Sequence, residues 1–329
     1  MRTGSLMTDV ARAPGAERET VARNRNGLSR RSMLGALAMK EFGDRFRNGW
    51  VIACVLVWVG AISLTSFMGL LQIGRMGAQG YERTVISMLN LAQYLVPLLG
   101  LLLGHDLIVG ENEERTLRLL LASGVSRSRL LLGKFIGGCL TMAVPLVAGF
   151  VIAGVAVGFA AKDSGIWPFV RLGITSMALG VVFVAIGLAV SCFCKSRVQA
   201  IVAALLAWCT FVFVLDLVAL GFIVSTKSPL AAREIEVVCD AMHVNAAADI
   251  HTEADTIARP AGQESTNEIT SNAGTVAWLA VNPVDLFRAV NLSATLRIHM
   301  PGAVVSASFC GWILLSLLAG KWQLGRTDL

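Results

Sequence analysis

The side chains able to do chemistry are few, and their spacing favours docking and ion pairing over bond making. No Ser, His and Asp set has convergent spacing, and Ser63 and Ser191 read as ordinary polar residues of apolar segments. Four histidines are present. His243, His251 and His299 stand near Met242 and Met300, and imidazole and thioether groups suit copper. These histidines form no dense cluster, so no metal site and no cofactor are assigned to the chain. Seven cysteines are spread mostly through apolar stretches and imply no disulfide framework. Cys192 and Cys194 form a C-x-C that reads as two small apolar residues.

Three polar features remain. Asp216 lies inside an apolar run, where a carboxylate is costly and is a functional hypothesis by default. It either hydrogen-bonds within a bundle or lines a path. His105 and Asp106 end another apolar run, where a buried polar pair would join neighbouring helices. The third feature is the stretch ENEERTLRLLLASGVSRSRLLLGK, Glu111 to Lys134, with three acids, four arginines, a lysine and seven leucines.

The elements that must position these groups are membrane helices. Of 329 residues, 55% are hydrophobic and only 15% charged. A bilayer core takes about 20 mostly apolar residues per helix. Six stretches qualify, near residues 50–71, 85–109, 135–160, 169–194, 198–225 and 302–320. They are too long and continuous for barrel strands. The expected fold class is therefore an all-α integral membrane protein with six transmembrane helices.

Residues 1–28 read as a disordered tail in the cytoplasm. Residues 29–49 read as an amphipathic helix on the inner surface, with Met33, Leu34, Leu37, Met39, Phe42 and Phe46 mainly on one face. Lys40, Glu41, Asp44 and Arg45 belong to the other face. Spans 1 to 5 occupy 50–225, a polar extracytoplasmic loop 226–300, and span 6 with a short C-terminus 301–329. Nineteen of the 28 lysines and arginines then fall on one side of the bilayer, which places both termini in the cytoplasm. The net charge of +6 follows from this topology and from attraction to anionic membrane lipid, not from nucleic-acid binding. Glycine pairs at Gly100/Gly104, Gly133/Gly137 and Gly154/Gly158 predict close helix approach. Pro97 and Pro145 allow kinks.

Within Glu111–Lys134, acids at Glu111, Glu113 and Glu114 open a helix where they complement its dipole. Leu117, Leu120 and Leu121 form an i, i+3, i+4 face. Gly124 stops that helix, and Ser126 caps the next, which carries Arg127, Arg129 and Lys134 ahead of span 3. A helix–turn–helix on the membrane surface follows. Three clustered acids suit a protein partner better than an anionic leaflet.

This stretch resembles the signature between spans 2 and 3 of ABC-2 type transporter permeases. Asp106, Ile108, Gly110, Glu111, Glu113, Thr116, Leu117, Val125, Ser126, Arg127, Gly133 and Lys134 match it. Arg115 replaces the usual Gly, and Gly124 the usual Pro. KEFGDRFRNGW resembles the family's connecting helix. That stretch, LDLVALGFIV and VNPVDLFRAVNLSA together are similar to the permeases of nitrous-oxide reductase maturation transporters. The weakest part is about 228–277, which looks like an insertion.

The resemblance implies a homodimer that binds two copies of a separate cytoplasmic ABC ATPase. ATP and magnesium would sit on that ATPase. Glu111, Glu113, Glu114, Thr116, Leu117, Leu120, Leu121 and Arg127 would form the coupling segment that docks on it. Outer loops, with Asn282, Pro283, Asp285 and Arg288, would meet a periplasmic accessory protein in the inner membrane assembly that matures the reductase copper site. The chain contains no G-x-x-x-x-G-K-[ST] phosphate loop, so it is not expected to be the ATP-hydrolysing enzyme. Two other readings stand beside this one: an ABC-2 exporter of a lipid, peptide or drug, and an ion-driven secondary transporter using Asp216. An intramembrane hydrolase lacks its catalytic set.

Overall fold

Apolar runs of 21 to 31 residues cannot leave backbone groups unsatisfied in lipid, so each closes its own hydrogen bonds as a helix. The computed structural model describes residues 35–45, 49–76, 78–114, 126–160, 166–218, 221, 281–296 and 302–326. Among them the elements are α1 (35–45), α2 (Gly49–Met76), α3 (Ala78–Gly104), α4 (Val109–Glu113), α5 (Arg127–Ala160), α6 (Trp167–Phe193), α7 (Arg197–Cys209), α8 (Pro283–Leu296) and α9 (Gly302–Arg326). A π-helical turn, Thr210–Val214, continues α7, and α-helix resumes to residue 218. No strand occurs among the described residues.

Among the described residues, six helices are long and apolar enough to cross a membrane: Val51–Leu71, Arg83–Glu113, Arg127–Val155, Trp167–Phe193, Arg197–Val218 and Gly302–Arg326. They match the six expected spans, with the largest change of boundary at the start of span 3. The helix expected before span 3 and span 3 itself are one helix, α5. The Ser126 carbonyl opens it, accepting from the amides of Arg129 and Leu130 (2.9 and 3.0 Å). Nothing interrupts the helix between Arg127 and Phe135, so its charged first turns extend the span.

α6 is the centre of the bundle, and α3 packs most extensively on it. Between membrane helices lipid supplies no net hydrophobic drive, so close van der Waals approach decides the contact. Gly104 and Gly187 provide it here. A Cβ built on Gly104 would lie 2.8 Å from the Gly187 Cα, and one on Gly100 would meet the Phe183 Cβ at 2.7 Å. Gly133 and Gly137 receive Leu37 and Glu41 of α1 instead of another span. Gly154 meets Phe169, whereas Gly158 opens on empty space. Aromatic rings fill the wider gaps. Phe150 lies 5.8 Å from both Trp58 and Phe169, and Phe211 lies 5.3 Å from Trp312.

Helix α1 follows the expected amphipathic pattern only in part. Ala38 is buried and Leu37 and Phe42 are half-buried, but Met39 is exposed; Met33, Leu34 and Phe46 lie outside the described residues. Glu41 and Arg45 share the inward face with Leu37 and Ala38, at helical spacing. The reason is a charged partner: α5 presents a buried lysine where α1 crosses it, and an acid there is worth more than a methionine. Lys40 and Asp44 remain exposed.

Candidate functional site

The end of the bundle that carries α1 holds a network built on Lys134. Its side chain is 1% exposed. Nζ donates to Glu41 Oε2 and pairs with Glu111 Oε1, both at 2.9 Å. Thus α1, α4 and α5 are joined through one ammonium. Arg45 completes the set: Nε pairs with Glu41 Oε1 (3.0 Å), and Nη1 donates to the Leu103 carbonyl (2.8 Å). That carbonyl belongs to the last turn of α3, where helical acceptors have no intrahelical partner. Two acids therefore face two bases, and the buried charges balance. Burial pushes the Glu41 carboxyl up, but Lys134 and Arg45 together more than reverse this and leave it below the ordinary range.

Between α3 and α4 the chain turns at residues 105–108. A turn at this depth frees amides that need acceptors. Ser191 Oγ on α6 accepts from both Ile108 N and Val109 N (2.9 Å each). Ser191 is thus the seat of the segment after span 2, not the ordinary polar residue that its setting suggests. No local signal reveals it, because its partners lie 83 and 82 residues away.

His105 and Asp106 do not join α1 to α4, as expected of them. His105 Nδ1 donates to the Leu102 carbonyl (2.6 Å). Asp106 turns the other way, toward Arg197 at the start of α7 (3.2 Å). Lys134 does the joining, because the Gly133 and Gly137 contacts bring α5 against α1. Arg197 also meets Glu113 and Glu114 (3.4 and 2.6 Å), and its amide donates to Glu113 Oε1 (2.8 Å). It is 44% exposed, so water screens much of this. A Cβ at Gly110 would lie 2.6 Å from Asp106 Oδ1 and 3.1 Å from Arg197 Nη2. Gly110 keeps that pair accessible to itself.

Arg127 Nη1 donates to the Leu324 and Gly325 carbonyls (2.8 and 3.0 Å), which ties the start of α5 to the end of α9. Thr116, Leu117, Leu120 and Leu121 lie outside the described residues, as do Arg115, Gly124, His243, His251 and His299.

The opposite end holds a second polar set. Asn282 precedes Pro283 and caps α8 in the usual way, its Oδ1 accepting from Val284 N (3.1 Å). Its Nδ2 donates to Asp285 Oδ2 (2.9 Å) and to the Phe211 carbonyl in the π turn (3.0 Å). Arg288 embraces Asp216 with Nη1 and Nη2 (2.9 and 3.3 Å) and donates from Nε to Gln93 Oε1 (3.1 Å). Asn282, Pro283 and Asp285 are buried and Arg288 is half-buried, so these four turn into the bundle. Asp216 is thereby ion-paired, with its side chain 36% exposed. Gln93 and Arg171, which donates to the Asn291 carbonyl (2.7 Å), are further ties that no sequence pattern marks.

Comparison with known proteins agrees with this architecture. The profile of the ABC-2 family transporter proteins matches residues 35–329. The probable ABC transporter permease protein NosY of Stutzerimonas stutzeri is 29% identical over 300 residues, 86% of this chain and 94% of that protein. The protein of the same name from Pseudomonas aeruginosa is 31% identical over 296 residues, 86% of this chain and 92% of its own length. With six membrane-length helices and a match that begins at α1, this chain belongs to the ABC-2 family of transporter proteins.

Proposed function

We propose that this chain is the permease subunit of an ABC transporter that serves copper-site maturation of nitrous-oxide reductase. The observation that carries the coupling part is the Lys134 bridge. One buried ammonium holds both α1 and α4, and α4 opens the expected coupling segment. A push on Glu111 is delivered at once to α5 through Lys134 and to α1 through Glu41. Arg127 passes motion of the same segment to α9. A rigid, charge-balanced hub suits transmission, because breaking any member leaves a buried charge unpaired.

In this reading α1 is the connecting helix, and Glu111–Leu121 is the coupling segment against a separate ATPase that carries ATP and magnesium. Two copies of the chain form the membrane dimer. The termini and the Lys134 end lie in the cytoplasm. The reductase assignment rests on similarity to NosY over most of both chains and on the motifs quoted above. A periplasmic accessory protein would meet the outer side through surfaces other than the buried Asn282 and Asp285.

The test is purification of the tagged chain from its native membrane, followed by ATPase assay of the complex. A co-purifying nucleotide-binding subunit is expected. Glu111→Ala and Arg127→Ala should lower ATPase stimulation while insertion persists. Unchanged stimulation in both variants would sink the coupling assignment. For the cargo, deletion of the gene should leave nitrous-oxide reductase short of copper; a fully copper-loaded reductase would favour the lipid, peptide or drug exporter.

A further inference from the structure

We propose that Asp216, Asp285 and Arg288 form a proton-binding site at the end of the bundle opposite Lys134, with one proton resident on the Asp285 carboxyl. Two carboxyl groups share one guanidinium. Arg288 spends its fork on Asp216 and its Nε on Gln93. Asp285 receives only the Asn282 amide, on Oδ2. Its residue is 6% exposed, yet Oδ1 is buried and has no hydrogen-bond partner. A buried carboxylate oxygen left unpaired costs far more than a neutral one.

Asp285 also lies within hydrogen-bonding reach of the Asp216 carboxyl. Ionised carboxylates only accept, so two facing each other need a donor between them, and a proton on one of them supplies it. Asp216 is the anion of the two, because the guanidinium grips both its oxygens. A metal ion fits less well: Arg288 already occupies the cation position, and Asp285 Oδ1 is the single uncommitted carboxylate oxygen of the set.

Among the described residues, the groups on the packed elements supply no second counter-charge. α3 contributes Tyr94 and Gln93, and the helix after the π turn contributes Asp216. Arg171 on α6 is engaged with the Asn291 carbonyl, nearly two turns along α8 from Asp285. α9 presents Trp312, whose Nε1 donates to the Val281 carbonyl (3.1 Å). Consistent with this, burial and the neighbouring Asp216 push the Asp285 carboxyl up, to about 7.

The site has a structural consequence. Asn282 holds Asp285 with the same amide that reaches the π-turn carbonyl. Loss of the proton puts a second negative charge beside Asp216 and loosens the seating of α8 on span 5. The sign follows from linkage. A carboxyl raised above its unfolded value keeps a proton that the unfolded chain has lost. Its stabilisation is full below the ordinary aspartate range and is lost as pH rises through about 7.

The test uses the full chain in nanodiscs. Infrared difference spectroscopy between about pH 5 and about pH 9 reads protonated carboxyl groups directly. Wild type should show a carboxylic acid band that titrates near neutrality and is missing in Asp285→Asn. Asp216→Asn removes the like charge and leaves Arg288 to Asp285, so the band's midpoint should fall by about one pH unit or more. Should Asp285→Asn fail to fold, the Asp216→Asn shift still decides. A wild-type spectrum without the band, or a midpoint unmoved by Asp216→Asn, overturns the proposal.

Discussion

The Lys134 network and the Arg288 set are both partly buried ionic clusters, yet they are balanced differently. Around Lys134, two acids meet two bases, and the principal contacts lie between 2.8 and 3.0 Å. Around Arg288, two acids meet one base, so one carboxylate has no cation of its own. A balanced cluster locks helices together. An unbalanced one responds to its surroundings, because its lowest-energy state depends on a proton. The two ends of this bundle therefore have different physical characters: one is charge-balanced, the other is not.

The sharpest way to break the contrast is Lys134→Met. It leaves Glu41 and Glu111 facing each other in a buried site, and loss of one partner of a buried pair costs roughly 3–5 kcal/mol. Thermal unfolding in detergent should fall steeply or the protein should fail to accumulate. A midpoint within a degree or two of wild type would show that the hub is not rigid.

Ser191→Ala tests the seat of the same end without touching a charge. Two buried amides lose their acceptor, at about 1–3 kcal/mol. The same thermal measurement reads it. Gly104→Ala probes the packing that both ends share. Its methyl meets the Gly187 backbone, and overpacking costs about 1–3 kcal/mol. A neutral outcome there would mean that α3 and α6 separate easily.

The pH profiles of the two ends should have opposite slopes. Glu41 is held below its ordinary range, so its contribution is present above the unfolded value and is lost as pH falls through the folded one. Asp285 contributes at low pH and loses its effect as pH rises through about 7. Glu41→Gln should flatten only the acid limb of a stability profile, and Asp285→Asn only the neutral limb. The smallest effect is expected from Arg197→Gln. Its ion pairs are half-exposed, and such pairs are worth about 0.2–1 kcal/mol.

Several of these groups are legible in the sequence. Length and hydropathy alone require six helices, because unbroken apolar runs have no other way to satisfy their backbones in lipid. Asp216 stands out for the same reason. The glycine pair at 100 and 104 announces close packing, and the motif around Glu111 carries the family. Partner identity is another matter. Asp216 lies 72 residues from Arg288, and Lys134 lies 93 residues from Glu41. Helical periodicity does not reach that far. It placed Glu41 and Arg45 on the solvent face of α1, since charge usually faces water. A buried lysine on α5 reverses the rule.

The sequence by itself determined the class of the molecule, its number of membrane helices and its family, because these depend on composition and local pattern. Only the tertiary structure decided which charges meet, that Ser191 holds the segment after span 2, and that Asn282 and Asp285 turn inward. Those outcomes depend on how helices cross. A crossing is set by many small contacts at once, of which Gly104 against Gly187 is one, and no single residue type encodes it.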